Sequence, residues 1–220
     1  AIPPLYSYND LGMGKSLIYI TSLITLALFL FSKYFYHSDF NWLFVAQFSG
    51  IAGLFYLCWA FLLSIRHQKI ESLFSGLDKV YKIHHLLGGI AYLFIINHPL
   101  ALILDRFPQN TLWLYLLLND TLSYTLGILA FYLLTLLLIL TIFVNLPYKI
   151  WKWTHEWIGL VVLLGGLHSL LIISDISRYA PLRFWMFFWI IVAITSYLYK
   201  RFIYYLLQKP NNYQIVKIKL

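Results

Sequence analysis

Long apolar stretches recur along this chain, and they limit its fold more than any other feature. Each is about 20 residues long, which is the length that an α-helix needs to cross the hydrocarbon core of a bilayer. Within that core every backbone N–H and C=O group must be paired inside the chain, so only helices and closed barrels are stable there. The stretches predict an all-α bundle of six spans: Lys15–Tyr36, Asn41–Ile65, Lys79–Leu104, Thr121–Val144, Tyr148–Ser174 and Leu182–Leu207.

Composition and charge agree with a membrane protein. Hydrophobic residues make up 61% of the chain and charged residues 11%, against about 25% charged residues in soluble domains. The net charge is +8, but the basic residues are spread over the loops, so we exclude nucleic acid and expect membrane lipid as the surroundings. Short loops connect the spans, which predicts a single membrane domain over residues 1–208.

The basic residues also predict an orientation, because cytoplasmic loops carry an excess of lysine and arginine. With the N-terminus inside, twelve basic residues lie on the inner side and four on the outer side. The inner set is Lys15, Arg66, Lys69, Lys79, Lys82, Lys149, Lys152, Lys200, Arg201, Lys209, Lys217 and Lys219; the outer set is Lys33, Arg106, Arg178 and Arg183. We therefore predict a multi-pass protein of a plasma membrane or bacterial inner membrane, with both termini cytoplasmic.

The segments outside the spans carry weaker signals. Thr111–Leu118 is apolar but short, and we expect a helix lying at the outer surface. Arg66–Asp78 is polar enough for a loop, with an amphipathic turn around Ile70–Leu77. The tail, residues 209–220, contains turn residues and then a β-prone run from Tyr213 to Leu220. A lone strand has no partner, so the tail predicts a linker and the first strand of a cytoplasmic domain.

Four histidines inside two of the spans are the strongest functional signal. His84 and His98 are 14 residues apart on the third span, and His155 and His168 are 13 residues apart on the fifth. At 1.5 Å per residue these spacings are about 21 Å and 20 Å along a helix. Both helices run in the same direction, so the spacing predicts an inner pair, His84 with His155, and an outer pair, His98 with His168.

Two imidazoles on opposite sides of an iron ion make a six-coordinate haem, which suits electron transfer because the iron has no open position. The chain has one cysteine, Cys58, so neither a disulfide within the chain nor a C-x-x-C-H haem attachment is possible. We expect two non-covalent haems stacked across the membrane between the third and fifth helices. Zinc or iron–carboxylate sites would need nearby Asp, Glu or Cys, and no Asp or Glu lies deep in a span.

Glycines follow two of the histidines at a spacing of one helical turn. Gly88 follows His84 and Gly159 follows His155 by four residues each, and we expect both glycines to give a flat ring clearance. The spacing of 13 residues leaves His168 about 140° away from the direction of His155 on a regular helix. We therefore expect irregular geometry in the fifth span, with Gly165-Gly166 as its candidate position.

Two segments resemble the ferric reductase-like transmembrane family, which includes the NADPH oxidases and bacterial ferric reductases. The first runs from Gly76-Leu77-Asp78-Lys79 through His84-His85-Leu86-Leu87-Gly88 to His98-Pro99-Leu100, and the second from Leu146-Pro147-Tyr148-Lys149 to His155 and His168. The resemblance implies two b-type haems, with His84 and His155 as ligands of the inner haem and His98 and His168 as ligands of the outer one.

The resemblance also implies an oxidoreductase whose partner is a cytoplasmic dehydrogenase domain that binds FAD and NAD(P)H. Electrons would pass from the flavin to the inner haem, the outer haem and an external acceptor, either oxygen, giving superoxide, or ferric iron. This chain would hold only the membrane haem part. Gln47 stands where oxygen-reducing members tend to have arginine, which argues against superoxide production.

Haem propionates are anionic and need basic partners, and the candidates are the basic residues near the span ends. They are Arg66, Lys82, His85 and Lys152 on the inner side, and Arg106 and Arg178 on the outer side. His37 and His67 fall in loops, where we expect them to be solvated. The pattern assigns no catalytic side chain; the outer haem edge would be the exit point for electrons.

Two other functions stay open on the sequence. The chain could be a stand-alone six-span haem subunit, like that of the methionine sulfoxide reductase system, which a separate flavoprotein supplies with electrons. It could also be a haem-free transporter or assembly factor that uses its histidines as a proton relay. The absence of acidic residues deep in the spans argues against the transporter, because ion-coupled transporters use membrane carboxylates.

The orientation predicted from the charge distribution can be tested without any cofactor. Fluorescent protein fused after Leu220 should fold and fluoresce, because the positive-inside rule places this end in the cytoplasm. An alkaline phosphatase fusion at the same residue should be inactive, and one in the loop around Arg106 should be active. The reverse pattern of activities would contradict the predicted orientation.

Overall fold

The computed structural model describes residues 10–36, 39–108, 115–118 and 120–207, and within them the protein is helical without strands. Six helices in this part are long and apolar enough to cross a membrane. The prediction of an all-α protein with six spans is confirmed. Half of the predicted surface helix, residues 111–114, and the predicted strand after residue 209 lie outside the described residues.

The helices are numbered here in chain order, and five of the spans are dominated by one long helix. The bounds are α1 Asp10–Phe35, α2 Trp42–Leu63, α3 Gln68–Leu73, α4 Leu77–Arg106, α5 Leu122–Ile142, α6 Tyr148–Glu156, α7 Ile158–Leu171, α8 Asp175–Arg178, α9 Ala180–Leu198 and α10 Tyr204–Leu207. A π-helical segment, Tyr199–Ile203, connects α9 with α10. The fifth span consists of α6 and α7, which are separated at Trp157.

The loop predicted over Arg66–Asp78 contains the short helix α3. The Nδ1 atom of His67 accepts a hydrogen bond from the backbone N–H of Lys69 at 3.2 Å, which caps the helix N-terminus. Ser75, with φ 58°, and Gly76, with φ 129°, reverse the chain before α4. Backbone at φ 129° strains a residue that has a Cβ, so this turn requires glycine at position 76.

The second span is the centre of the bundle. It carries the largest fully buried side chains, including Trp59 and Phe55, and α1, α4 and α9 all pack against it. Gly53 allows α4 to approach closely, because a Cβ at Gly53 would lie 2.7 Å from Ile95 Cγ1. The core of this membrane domain is therefore built on α2.

A second packing unit is formed by α5 with α6 and α7. Among the described residues, the closely packed helix pairs do not include α4 with α6 or α7. The third and fifth spans, which carry the paired histidines, are thus each packed mainly against a neighbouring span.

A buried ion pair joins the helix ends that were assigned to the outer side. Lys33 Nζ lies 2.8 Å from Asp175 Oδ2, and less than a tenth of either side chain is exposed. Lys33 also donates a hydrogen bond to Gln47 and lies 5.2 Å from the ring centroid of Phe29. The charge pattern counted Lys33 with the loop cations, but the structure gives it a place inside the bundle, where it links α1, α2 and α8.

Replacing Lys33 by methionine should destabilise the protein by about 3 kcal/mol, because it leaves the Asp175 carboxylate buried without its cation. The measurement is the midpoint of unfolding when a mild-detergent solution is titrated with SDS. The double variant Lys33→Met/Asp175→Leu should recover much of the lost stability, since neither charge is then buried. Equal destabilisation in the single and double variants would contradict this account of the ion pair.

Candidate functional site

The four histidines form two pairs, each of which joins the third span to the fifth. The ring centroids of His84 and His155 are 6.3 Å apart, and the ring planes make an angle of 65°. His98 and His168 have the same centroid distance and the same angle. All four rings are partly buried. The structure therefore brings together the two pairs that the spacing predicts.

Three of the four rings are oriented by backbone carbonyls of the supporting helices. The bonds from imidazole Nδ1 to carbonyl oxygen are His84 to Ala60 at 2.8 Å, His98 to Ala46 at 2.7 Å and His168 to Ser123 at 2.6 Å. A carbonyl oxygen only accepts, so in these rings Nδ1 carries the hydrogen and Nε2 keeps its lone pair. Each ring thus presents Nε2 as its free metal-binding nitrogen.

His155 is held differently. Its Nδ1 is 3.5 Å from the hydroxyl oxygen of Thr141, and its ring stacks on Trp151 at a centroid distance of 5.3 Å and an angle of 12°. Trp151 in turn stacks on Tyr148 at 5.9 Å. An aromatic column on α6, rather than a carbonyl, sets the plane of this ring.

The pair geometry matches that of two ligands on opposite faces of one metal ion. With imidazole nitrogen about 2.0 Å from a first-row metal and about 1.1 Å from its own ring centroid, two such rings have centroids about 6.2 Å apart. The described residues contain no group of three or more His, Cys, Asp or Glu that could hold a metal ion. Each pair offers two donors, too few for a bare zinc ion, which takes four, but the number that a haem needs.

The fifth span is irregular, as the 13-residue spacing predicts, but the irregularity is not at Gly165-Gly166. Those glycines lie inside the regular helix α7, and the break is at Trp157. There the N–H of Trp157 donates to the carbonyl of Thr154, and the N–H of Leu160 donates to that of Trp157. Such tight turns rotate by about 120° per residue instead of 100°, which turns His168 back towards the side of His155.

The two glycines predicted to give clearance have different surroundings. A Cβ at Gly88 would have no neighbouring heavy atom within 4 Å, so this position faces open space. A Cβ at Gly159 would lie 2.5 Å from Tyr197 Cε2 on α9. Gly159 therefore packs closely against α9, and its role in giving a flat ring clearance stays a prediction.

The predicted basic partners lie at the ends of the spans, and their contact with a cofactor stays a prediction. Arg66 Nε donates to the Tyr81 hydroxyl at 2.9 Å, a bond that raises the pKa of the guanidinium. Lys152 lies 3.9 Å from the carboxylate of Glu156. Lys82 is exposed, and so is His85, whose ring centroid is 5.8 Å from that of His84.

On the outer side, Arg106 lies 3.8 Å from the Asp105 carboxylate and about half of its side chain is exposed. Arg178 is exposed, and its backbone carbonyl accepts a hydrogen bond from the Tyr36 hydroxyl at 2.8 Å. His67 is exposed, as predicted, and His37 lies outside the described residues.

Lys200 is a residue near the inner pair that the sequence did not single out. It lies in the π-helical segment, is partly buried and donates to the carbonyl of Ser64 at 2.6 Å. It is close enough to His84 and His155 to interact with both electrostatically. The sequence indicated Lys200 only as one of the inner basic residues. Its position in a π-helical turn, a feature often found at functional sites, leaves no clear pattern in the sequence.

Comparison with known proteins gives one finding about the family. A family model described as ferric reductase like transmembrane component matches residues 49–166, which is more than half of the chain. The matched region contains His84, His98 and His155, and it ends two residues before His168. No curated protein matches the chain.

Proposed function

The chain belongs to the ferric reductase-like transmembrane family, and from this premise we propose that it carries electrons across a membrane through two b-type haems. His84 and His155 hold the inner haem, and His98 and His168 hold the outer haem. Both haems lie between the third and fifth spans. The open space beside Gly88 provides clearance for the inner ring.

The observation that carries this proposal is the repeated pair geometry. Two independent pairs share a centroid distance of 6.3 Å and an angle of 65°. Unrelated buried histidines would have no reason to agree in both quantities. Nδ1 hydrogen bonds to carbonyl oxygens also raise the basicity of the ring and fix its orientation, as is usual for histidines that bind metals.

Paired histidine ligation favours electron transfer over substrate binding. When bound, haem supplies an iron that changes between the ferric and ferrous states, and two axial imidazoles leave that iron no open position. The four histidines have to keep the same arrangement in both states. Hydrogen bonds to helix carbonyls hold three of the rings, and stacking on Trp151 holds that of His155, so little reorganisation would accompany each electron.

The direction of transfer follows from the predicted orientation. His84 and His155 would hold the haem that accepts electrons from a cytoplasmic dehydrogenase with FAD and NAD(P)H, and His98 and His168 would hold the haem that passes them to an acceptor outside the cytoplasm. Oxygen, giving superoxide, and ferric iron are the two candidate acceptors. The side chain of Gln47, which stands where oxygen-reducing members tend to have arginine, accepts a hydrogen bond from Lys33.

The basic residues at the inner end would neutralise the haem carboxylates. Lys200 is the strongest candidate, because it is partly buried and donates to the carbonyl of Ser64, one turn after Ala60, whose carbonyl holds His84. Arg66, Lys82, His85 and Lys152 would form a more exposed second set. Arg106 and Arg178 would serve the outer haem.

The first test is the absorption spectrum and haem content of the purified chain, expressed with ample haem. We expect a Soret band typical of six-coordinate haem and two haems per chain. His98→Leu should lose about half of the haem, because it removes one axial ligand of one site. His67→Leu is the matched control, since His67 is exposed and caps α3, and it should retain both haems.

A chain without a Soret band would contradict the proposal and favour the haem-free transporter. Loss of all haem or of none in His98→Leu would contradict the pairing of the histidines. Reduction by NAD(P)H should require a flavin dehydrogenase, either as a domain of the same polypeptide or as a separate flavoprotein.

Replacing Lys200 by methionine should lower the midpoint potential of one haem and leave the other unchanged. A nearby positive charge stabilises the reduced state, and its effect decays over the roughly 21 Å between the two sites. A redox titration that resolves both haems measures the shift. Lys200→Arg keeps the charge and should keep the potential, whereas equal shifts of both haems would contradict a local role.

A further inference from the structure

We propose that Gly50 and Gly127 are positioning residues for the outer histidine pair. Each glycine lets an imidazole reach the helix carbonyl four residues earlier in the chain, which fixes the ring and makes it a stronger metal ligand. The inference rests on the proposed haem site, but the glycines themselves do not contact the metal position. Neither glycine was singled out by the sequence.

The first instance is on α2. His98 Nδ1 is 2.7 Å from the carbonyl oxygen of Ala46, and Gly50 lies four residues after Ala46. A Cβ at Gly50 would be 3.0 Å from Nδ1 and 3.2 Å from Cε1 of the same ring. Such contacts are tighter than those that nearly all Cβ atoms make, so a side chain at this position would push the ring away.

The second instance is on α5 and repeats the arrangement. His168 Nδ1 is 2.6 Å from the carbonyl oxygen of Ser123, and Gly127 lies four residues after Ser123. A Cβ at Gly127 would be 2.7 Å from Nδ1 and 2.8 Å from Cε1 of His168. Contacts below 3.0 Å essentially do not occur for real Cβ atoms, so the ring would have to move.

Helix geometry explains why the residue at the fourth position matters. In an α-helix the carbonyl of residue i points towards residue i+4 and accepts its N–H. A second donor from a neighbouring helix must therefore approach beside the side chain of residue i+4. Glycine at that position removes the obstacle, and the carbonyl can accept the imidazole N–H as well.

The inner pair does not use this arrangement. His84 bonds to Ala60, whose fourth following residue is Ser64 at the end of α2. His155 faces the Thr141 hydroxyl at the longer distance of 3.5 Å. A Cβ at Gly88 would have no heavy atom within 4 Å, and the three atoms nearest to a Cβ at Gly159 all belong to Tyr197 and not to a histidine. Within the described part of the chain, a glycine four residues after the accepting carbonyl is therefore specific to the outer pair.

The consequence is electronic as well as geometric. A ring that donates its Nδ1 hydrogen to a short, well-directed bond carries more negative charge and is a stronger ligand. Stronger donation stabilises the oxidised metal and lowers its reduction potential. Loss of either bond should therefore raise the potential of the outer haem.

The chain offers two matched glycine controls. A Cβ at Gly53, one turn after Gly50 on α2, would be 2.7 Å from Ile95 Cγ1 and would meet no histidine. A Cβ at Gly89 would have no neighbour within 4 Å. Gly53→Ala therefore tests tight helix packing alone, and Gly89→Ala tests the loss of a glycine alone.

The experiment compares Gly50→Ala, Gly127→Ala and the two controls in the haem-loaded chain. Redox titration should show one haem shifted to higher potential in both test variants, with the other haem unchanged. The ferric electron paramagnetic resonance signal of that haem should shift as well, because the ring planes turn. Gly127→Ala should give the larger shift in potential, since its Cβ contact is closer. Gly53→Ala should lower the stability without shifting the potentials, and Gly89→Ala should change neither the stability nor the potentials.

The inference would be overturned if Gly50→Ala and Gly127→Ala both retained two haems and both showed unchanged potentials and resonance signals. The inference would also be overturned if Gly53→Ala shifted the potential of the outer haem as much as Gly50→Ala does. If Gly127→Ala fails to assemble, Gly50→Ala decides, because its contact is the milder one. Absence of haem from the unmodified chain would instead refute the proposed function, so the two failures are distinguishable.

Discussion

The cost of an unpaired polar group in an apolar environment governs this structure. Inside a bilayer water cannot replace a missing hydrogen bond, so each polar group in the bundle needs a partner within the protein. The long helices satisfy their own backbone, and the histidine rings satisfy one nitrogen through a neighbouring helix. Lys33 and Asp175 follow the same rule, since each neutralises the other in a site that is almost fully buried.

Backbone carbonyls have a second role as supports for the histidine rings. The second span holds rings of the third span, and the fourth span holds the outer ring of the fifth. Each supporting helix is packed tightly against the helix that it serves. The histidine helices are therefore positioned by their own neighbours rather than by close packing against each other.

Much of the fold and the central site could be predicted from the sequence, because strong and periodic signals encode them. The apolar stretches predicted the six spans, and the 14- and 13-residue spacings predicted which histidines meet. The details that depend on rotation around a helix axis were predicted less well. The irregularity of the fifth span lies at Trp157 instead of Gly165-Gly166, and Gly159 lies against Tyr197 on α9, a contact that the sequence did not indicate.

Sequence by itself determined the membrane-spanning character, the number of spans and which histidines lie at the same depth, His84 with His155 and His98 with His168. These properties follow from local hydrophobicity and from helix rise, and neither depends on distant contacts. Only the tertiary structure decided the roles of Gly50, Gly127, Lys33 and Lys200. The role of a glycine, a carbonyl or a lysine does not follow from the sequence alone. It depends on which side chain from another helix lies against that group, and tertiary packing determines this contact.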